Sequence, residues 1–559
     1  MTAAPAADAA PRLGADILAE RLAAAGCRRA FGIPGGEVLA LIEGLRAAGV
    51  AFHLTKHENA AGFMAEGAWH ADSLDLAPGE RAAPGILIAT IGPGVANAVN
   101  VVANAVQDRV PLLFLTGCVD GAEALTYTHQ VFDHQAMLRP IVKATLRAEA
   151  GAIGAAVDKA LAIALSGQPG PVHLDLPIDA MEGPAIGQDA VPQSPPKPLA
   201  GSAPAPGPDL ERARALLRDA ERPLALVGVD AVNEGAGPAV ANFLHAYGIP
   251  AIASYKAKGL LDDGDPLSLG GAGLSPKADA ILKPLLEAAD LILLLGYDPI
   301  EMRKGWRRPW PDATPVVEIT PVLRDHGMHP AVAETFLADL APSLAVLSDG
   351  APARPVWSDG APGRAKAALG EAFAPEPGWG PARAFHVLRE AAPENVTTTV
   401  DSGAHRILLS QAWPVSRPRG LLQSTALCTM GCALPLAMGH ALARPETPVL
   451  AFVGDAGLEM GLGELATVRD LKLPVVIAVL VDESLALIEL KQRAGQNPNT
   501  GVDFPGSDFP AIARALGGVG RWVDDEATLR TEATAAFERR DQFTLLAIRI
   551  GRRAYDGKF

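Results

Sequence analysis

A chain of 559 residues, 49% apolar and 20% charged, carries a formal net charge of −15. That composition describes a globular protein with material for several cores, and the length predicts three domains of about 100–200 residues each. The acidic balance argues against nucleic acid or an anionic membrane as the main partner, because both repel a chain of this sign.

The first residues, Met1-Thr-Ala-Ala-Pro-Ala-Ala-Asp, lack the basic stretch and apolar core of a secretory signal. The longest apolar runs, about eight residues, fall far short of the roughly 20 needed to cross a bilayer, so a cytoplasmic location is expected. From Gly14 to Ala180, helical patterns alternate with the strand-like runs Ile86–Thr90, Leu112–Thr116 and Val172–Leu176. Alternation of this kind predicts βαβ units and a mostly parallel sheet. Pro192–Pro208, rich in Pro, Ala, Ser and Gly, reads as a linker. A second α/β block follows, with strand candidates Leu224–Gly228, Leu291–Leu295 and Val316–Ile319. Gly350–Pro362 reads as another linker before a third α/β block. The expected boundaries are 12–183, a linker 184–208, 209–348, a linker 349–375, 376–551 and a tail 552–559.

Four cysteines, Cys27, Cys118, Cys428 and Cys432, are too few and too scattered for a disulfide framework. Cys428 and Cys432 have no His or Cys neighbours in sequence, so packing rather than metal is expected of them.

The most informative stretch is Gly454-Asp455-Ala456-Gly457, followed 27 residues after Asp455 by Asp482. It follows the apolar run Val449–Val453 and opens a segment of helical periodicity through Leu462, Leu465, Val468 and Leu471. The run Val475–Val481 then delivers Asp482 at its end. Two carboxylates thus emerge from the C-terminal edges of two strands, where parallel sheets bind ligands. Ala456 and Gly457 offer backbone N–H groups near a helix start, a setting suited to phosphate. Hard carboxylate oxygens beside a phosphate cradle point to Mg²⁺.

This spacing resembles the metal and diphosphate motif of thiamin-diphosphate-dependent enzymes. Further segments resemble that family in the same order: Lys56–Gly67, Ile91–Asn97 with Asp108–Leu112, and Cys428–Pro435. The resemblance runs from about Ala15 to the C-terminus. It implies three doubly wound α/β domains with parallel sheets, a pyrimidine-binding, a central and a diphosphate-binding domain, with the first and third sharing a fold.

The resemblance also assigns residues. Glu58 is expected to exchange a proton with the cofactor's aminopyrimidine, general acid–base work worth about 10²–10⁴-fold. Met430 is expected to wedge the two rings together, a positioning role, and Cys428 to offer its carbonyl to the 4′-amino group. Asp455, Asp482 and the Ser484 carbonyl are expected to hold Mg²⁺, with Gly454, Ala456, Gly457 and His405 near the diphosphate. Gly35, Gly94 and Asn97 are implied cofactor neighbours in the first domain. Gln130 is expected to face the reacting carbon, with His129 where an aromatic is common and Val131 where an acid is common.

Two departures stand out: Ala456 replaces the usual second glycine, and Val481-Asp482 replaces an Asn-Asn or Asn-Asp pair. Within the family the resemblance runs to the acetolactate synthase group, with Asp482–Gln492, Gly501–Phe504 and Asp508-Phe509 in step with it. Gly296–Glu301 resembles the flavin-free, catabolic type, so FAD is not expected. The expected substrates are a 2-oxo acid and a second carbonyl, and the expected assembly is a homodimer or dimer of dimers with the active site at the subunit interface. A plain 2-oxo acid decarboxylase and a non-catalytic regulatory homologue remain as alternatives. Neither His129 nor His134 takes a proton-transfer role from spacing alone.

Overall fold

The computed structural model describes residues 12–76, 80–190, 201–299, 302–323, 326–329, 332–350 and 355–559. Parts of both expected linkers, and the end of the Gly296–Glu301 segment, lie outside the described residues. The chain divides into two compact units. One holds the chain up to Trp69 and the stretch from Ala82 to Pro198; the other holds His70–Arg81 and everything from Leu199 onward.

The first unit is built on one parallel six-stranded sheet. Its strands are β1 (Arg29–Gly32), β2 (Ala51–Leu54), β3 (Gly85–Ala89), β4 (Leu112–Cys118), β5 (Ala144–Arg147) and β6 (Pro171–Pro177), in the order β2-β1-β3-β4-β6-β5. β3 and β4 read as near-continuous apolar runs because both their faces are buried, as parallel sheets flanked by helices require, whereas β6, equally buried, carries His173 and Asp175 on one face.

The second unit contains two more such sheets. One comprises β7 (Pro223–Val227), β8 (Ala251–Ala253), β9 (Ser268–Gly271), β10 (Leu291–Leu295), β11 (Val316–Thr320) and β12 (Glu334–Leu337), ordered β12-β11-β10-β7-β8-β9. The other comprises β13 (Thr397–Val400), β14 (Leu421–Gln423), β15 (Val449–Gly454), β16 (Val476–Val481), β17 (Val519–Val523) and β18 (Thr544–Arg549), ordered β14-β13-β15-β16-β18-β17. The first and third sheets therefore share one winding, as the sequence resemblance implies. The central sheet instead follows the dinucleotide-fold order.

The helical segment expected after Gly457 is broken. One helix spans Asp455–Met460 and a second spans Glu464–Asp470, with glycines at 461 and 463 between them. Glycine costs about 1 kcal/mol in a helix interior relative to alanine, and two so close favour a break. Among the described residues, no helix is long and apolar enough to cross a membrane.

Candidate active site

In the first unit the chain reverses after β2 and starts the helix Glu58–Asp72 directly on Glu58. The Asn59 amide donates to His57 Nδ1 at 3.1 Å, fixing this start. Glu58 is buried, and its Oε2 accepts from Asn97 Nδ2 at 3.0 Å. A Cβ on Gly94 would sit 3.3 Å from Glu58 Oε1, so the short helix Pro93–Asn97 reaches this carboxylate with bare backbone. Glu58, Gly94 and Asn97 are thus neighbours.

Gly35 lies after β1 at the switch point of this sheet, where a Cβ would fall 2.0 Å from Thr90 Oγ1. Thr90 donates to Glu37 Oε2 at 2.5 Å, so Glu37 bridges the ends of β1 and β3. The sequence reading did not single out Glu37; its position two residues past Gly35 was the available signal. Gln130 is exposed, at φ +60°, in a left-handed conformation that costs a non-glycine residue. A Cβ on Gly92 would fall 2.4 Å from the Gln130 carbonyl oxygen, so the two turns touch. His129 lies on the exposed loop beside Tyr127, whereas His134 is buried.

In the second unit three adjacent strands end in carboxylates. Asp401 follows β13, Asp455 follows β15 and Asp482 follows β16. The register Gly454↔Leu480 sets the last two side by side. Asp455 Oδ2 accepts from the Asp482 and Glu483 amides at 3.1 and 2.7 Å, and its Oδ1 from the Ala456 amide at 2.8 Å. The Ala456 N–H expected to face phosphate is therefore engaged by its neighbour. The Ser484 amide donates to Asp482 Oδ1 at 3.3 Å, and the Ser484 hydroxyl to Asp503 Oδ1 at 2.7 Å.

Burial raises the Asp455 carboxyl above its ordinary value, against the pull of those backbone bonds. Burial and the neighbouring Asp455 charge push Asp482 up to about 8. Two desolvated, mutually repelling carboxylates are the donor set a divalent cation suits, since its charge offsets both penalties.

Asp401, like Glu37, is not singled out by the sequence reading, and no signal in the sequence marks it as part of the site. It is fully buried, and its Oδ1 accepts from His405 Nε2 at 2.7 Å and the Gly454 amide at 3.2 Å. Its Oδ2 accepts from the Gly431 amide at 2.8 Å. One carboxylate thus joins the turn before Asp455 to the turn after Met430. His405 is committed to Asp401 through Nε2, and its Nδ1 lies against Gly403 and Gly454, where Cβ atoms would fall 2.5 and 3.5 Å from it.

Met430 is half-buried on the loop between β14 and the helix Ala433–Ala443, unlike a core methionine. Cys428 adopts φ +57°, a strained conformation at the residue expected to present its carbonyl. Its Sγ accepts from Arg406 Nη2 at 3.2 Å, and all four cysteines are free.

Three family models cover most of the chain. The thiamine pyrophosphate enzyme N-terminal TPP binding domain matches residues 12–137, the central domain 210–347 and the C-terminal TPP binding domain 401–548. The chain belongs to the thiamine pyrophosphate enzyme family. It is similar to an acetolactate synthase of Bacillus subtilis, 28% identical over 522 residues that span 91% of this chain and 88% of the relative. It is similar also to the acetolactate synthase isozyme 1 large subunit of Escherichia coli, at 29% over 519 residues, 90% of this chain and 88% of the relative. A catabolic acetolactate synthase of Raoultella terrigena matches at 27% over 542 residues, 94% and 93% of the two chains. The protein is an acetolactate synthase-like, thiamin-diphosphate-dependent enzyme.

Proposed function

We propose that this enzyme uses thiamin diphosphate with Mg²⁺ to decarboxylate a 2-oxo acid and join the remaining fragment to a second carbonyl compound. The observation that carries the metal is the buried Asp455–Asp482 pair, whose raised carboxyls call for a cation among hard oxygen ligands. In this reading Asp455, Asp482 and the Ser484 carbonyl hold the ion, while Gly454, Ala456, Gly457 and His405 line the diphosphate. When bound, the cofactor supplies the carbanion chemistry. Glu58 holds and returns a proton at the aminopyrimidine N1′, with Asn97 orienting its carboxylate and Gly35 and Gly94 beside the ring. Met430 keeps the two rings close, and Cys428 offers its carbonyl. Gln130 faces the reacting carbon.

The assembly we infer is a homodimer or dimer of dimers in which Glu58 and the metal site of one catalytic centre come from different subunits. Exposed Leu125, Tyr127 and Phe132 gathered on the loop bearing Gln130 support it, because apolar side chains grouped on one surface segment mark an interaction site. The reading includes no flavin, since Gly296–Glu301 resembles the flavin-free, catabolic type.

The test is a panel of 2-oxo acids with carbon dioxide release and product identity followed together. Acetolactate or another hydroxyketone as product supports the reading. Free aldehyde alone would reduce the enzyme to a plain decarboxylase, and silence across the panel would overturn it.

A further inference from the structure

Strand register in the first unit gathers a polar cluster that the proposed chemistry does not use. His173 and Asp175 lie two residues apart on β6 and so share one face of the sheet. Thr116 of β4 stands opposite Asp175, and Thr145 of β5 stands opposite His173. His134, which begins the helix His134–Leu138, packs beside them; both histidines and Asp175 are buried.

The contacts form a chain with one consistent set of protons. Thr145 Oγ1 lies 2.7 Å from His173 Nδ1, and His173 Nε2 lies 2.8 Å from Thr116 Oγ1. Thr116 donates to Asp175 Oδ1 at 2.8 Å, and His134 Nδ1 lies 2.9 Å from the same oxygen. The Gly92 amide donates to His134 Nε2 at 3.3 Å. That last bond requires an unprotonated Nε2, so the His134 proton sits on Nδ1, facing Asp175. Although burial alone would raise the Asp175 carboxyl, its hydrogen bond from His134 and the adjacent His173 imidazole hold it well below the usual range.

His134, His173 and Asp175 are close enough to share a metal ion. Yet the Gly92 amide takes the free lone pair of His134, and the Thr145 hydroxyl takes that of His173. Neither imidazole retains a lone pair for an ion. The cluster is built to orient His134 instead.

What His134 holds is the turn that matters to the site. Gly92, at φ +70°, opens the helix Pro93–Asn97, whose Gly94 and Asn97 reach Glu58. The same glycine presses on the Gln130 carbonyl. We propose that His134, oriented by Asp175, is a positioning residue that pins the Gly92 turn and so sets where Gln130 meets the substrate. The role of Gln130 rests on the function proposed above; the pinning of Gly92 does not.

Hydrogen exchange of the Gly92 amide, read by mass spectrometry on peptides within Ala89–Asn97 of the intact protein, tests the pinning without substrate. His134→Phe keeps a ring beside Phe132 and removes both nitrogens; exchange should accelerate about three- to ten-fold, the worth of one net hydrogen bond. His134→Gln retains an acceptor near the Nε2 position and should restore most of the protection. In the same pair, kcat/KM for the 2-oxo acid should fall about ten-fold in the Phe variant and recover in the Gln variant. The melting shift on adding thiamin diphosphate and Mg²⁺ should stay unchanged in both.

Wild-type exchange at Gly92 in His134→Phe overturns the proposal, as does a Gln variant no better protected than Phe. If the Phe variant does not fold, Asp175→Asn decides, because an amide facing Nδ1 favours the wrong tautomer and should speed Gly92 exchange equally; an unchanged rate overturns the proposal. A wild-type enzyme inert to every 2-oxo acid would sink the proposed function while leaving the exchange result to judge the pinning.

Discussion

The central and third sheets are both six-stranded and parallel, and each has a switch point between neighbouring strands whose following connections lead to opposite sides of the sheet. At the third sheet, between β13 and β15, a carboxylate satisfies the backbone amides: Asp401 takes the N–H groups of Gly454 and Gly431. At the central sheet, between β7 and β10, backbone satisfies backbone. The Gly228 amide donates to the Leu295 carbonyl at 3.1 Å and the Asp230 amide to the Gly296 carbonyl at 3.2 Å. Asp230 and Asp298 are buried there too, each already partnered. The order of strands permits a ligand crevice in both places. What separates them is that a buried carboxylate joins the turns at one and backbone alone joins them at the other.

The largest effect that would break this contrast involves Glu58. Glu58→Gln preserves shape and the Asn97 contact but removes the exchangeable proton, so deuterium uptake at the cofactor C2 should slow by about 10²–10⁴-fold. Uptake at the wild-type rate would exclude the proposed role.

Next comes the metal. Ligands that bind only the folded state stabilise it by about 2.7 kcal/mol at a hundredfold excess over Kd. Thiamin diphosphate and Mg²⁺ should therefore raise the wild-type Tm together, and Asp455→Ala should abolish that rise. A shift that survives in this variant would rule out the metal assignment.

Gly228→Ala sharpens the comparison from the other side. Its methyl would meet the Gly296 oxygen at 2.3 Å, and overpacking of this kind costs about 1–3 kcal/mol. Basal Tm should drop while the ligand-induced rise persists. Loss of that rise would mean that the central sheet takes part in binding.

A smaller effect follows from Asp482, whose folded-state pKa of about 8 lies above its ordinary value. A raised acid adds stability below its unfolded pKa and loses it as pH rises through the folded one. The ligand-free protein should thus weaken between about pH 4 and 8, and Asp482→Asn should flatten that slope in urea melts across the range. The least effect is expected from FAD, which should leave Tm unchanged; a yellow preparation with stoichiometric flavin would overturn the flavin-free reading.

Much of this was legible in sequence where burial is two-sided. Leu291–Leu295 and Val449–Val453 announce themselves as strands because both faces are apolar, and Asp455 and Asp482 follow from where such strands end. β2 was not legible: Ala51-Phe-His-Leu54 is an edge strand with mixed exposure and no continuous run. Asp401 was hidden for another reason. Its value lies in bonds to Gly431 and Gly454, 30 and 53 residues away, and no local pattern encodes a carboxylate that serves distant amides. His134 was visible as a letter, but its tautomer depends on Asp175 across the sheet.

The Gly-Asp-Ala-Gly spelling has a consequence for how such proteins are recognised. At position 457 a Cβ would fall 2.0 Å from Asp401 Oδ2, so this site must stay methyl-free, whereas alanine is accommodated at 456. A search written for the literal letters Gly-Asp-Gly passes over this protein. A search written for an acid at the end of one buried strand, and another 27 positions on at the end of the next, finds it.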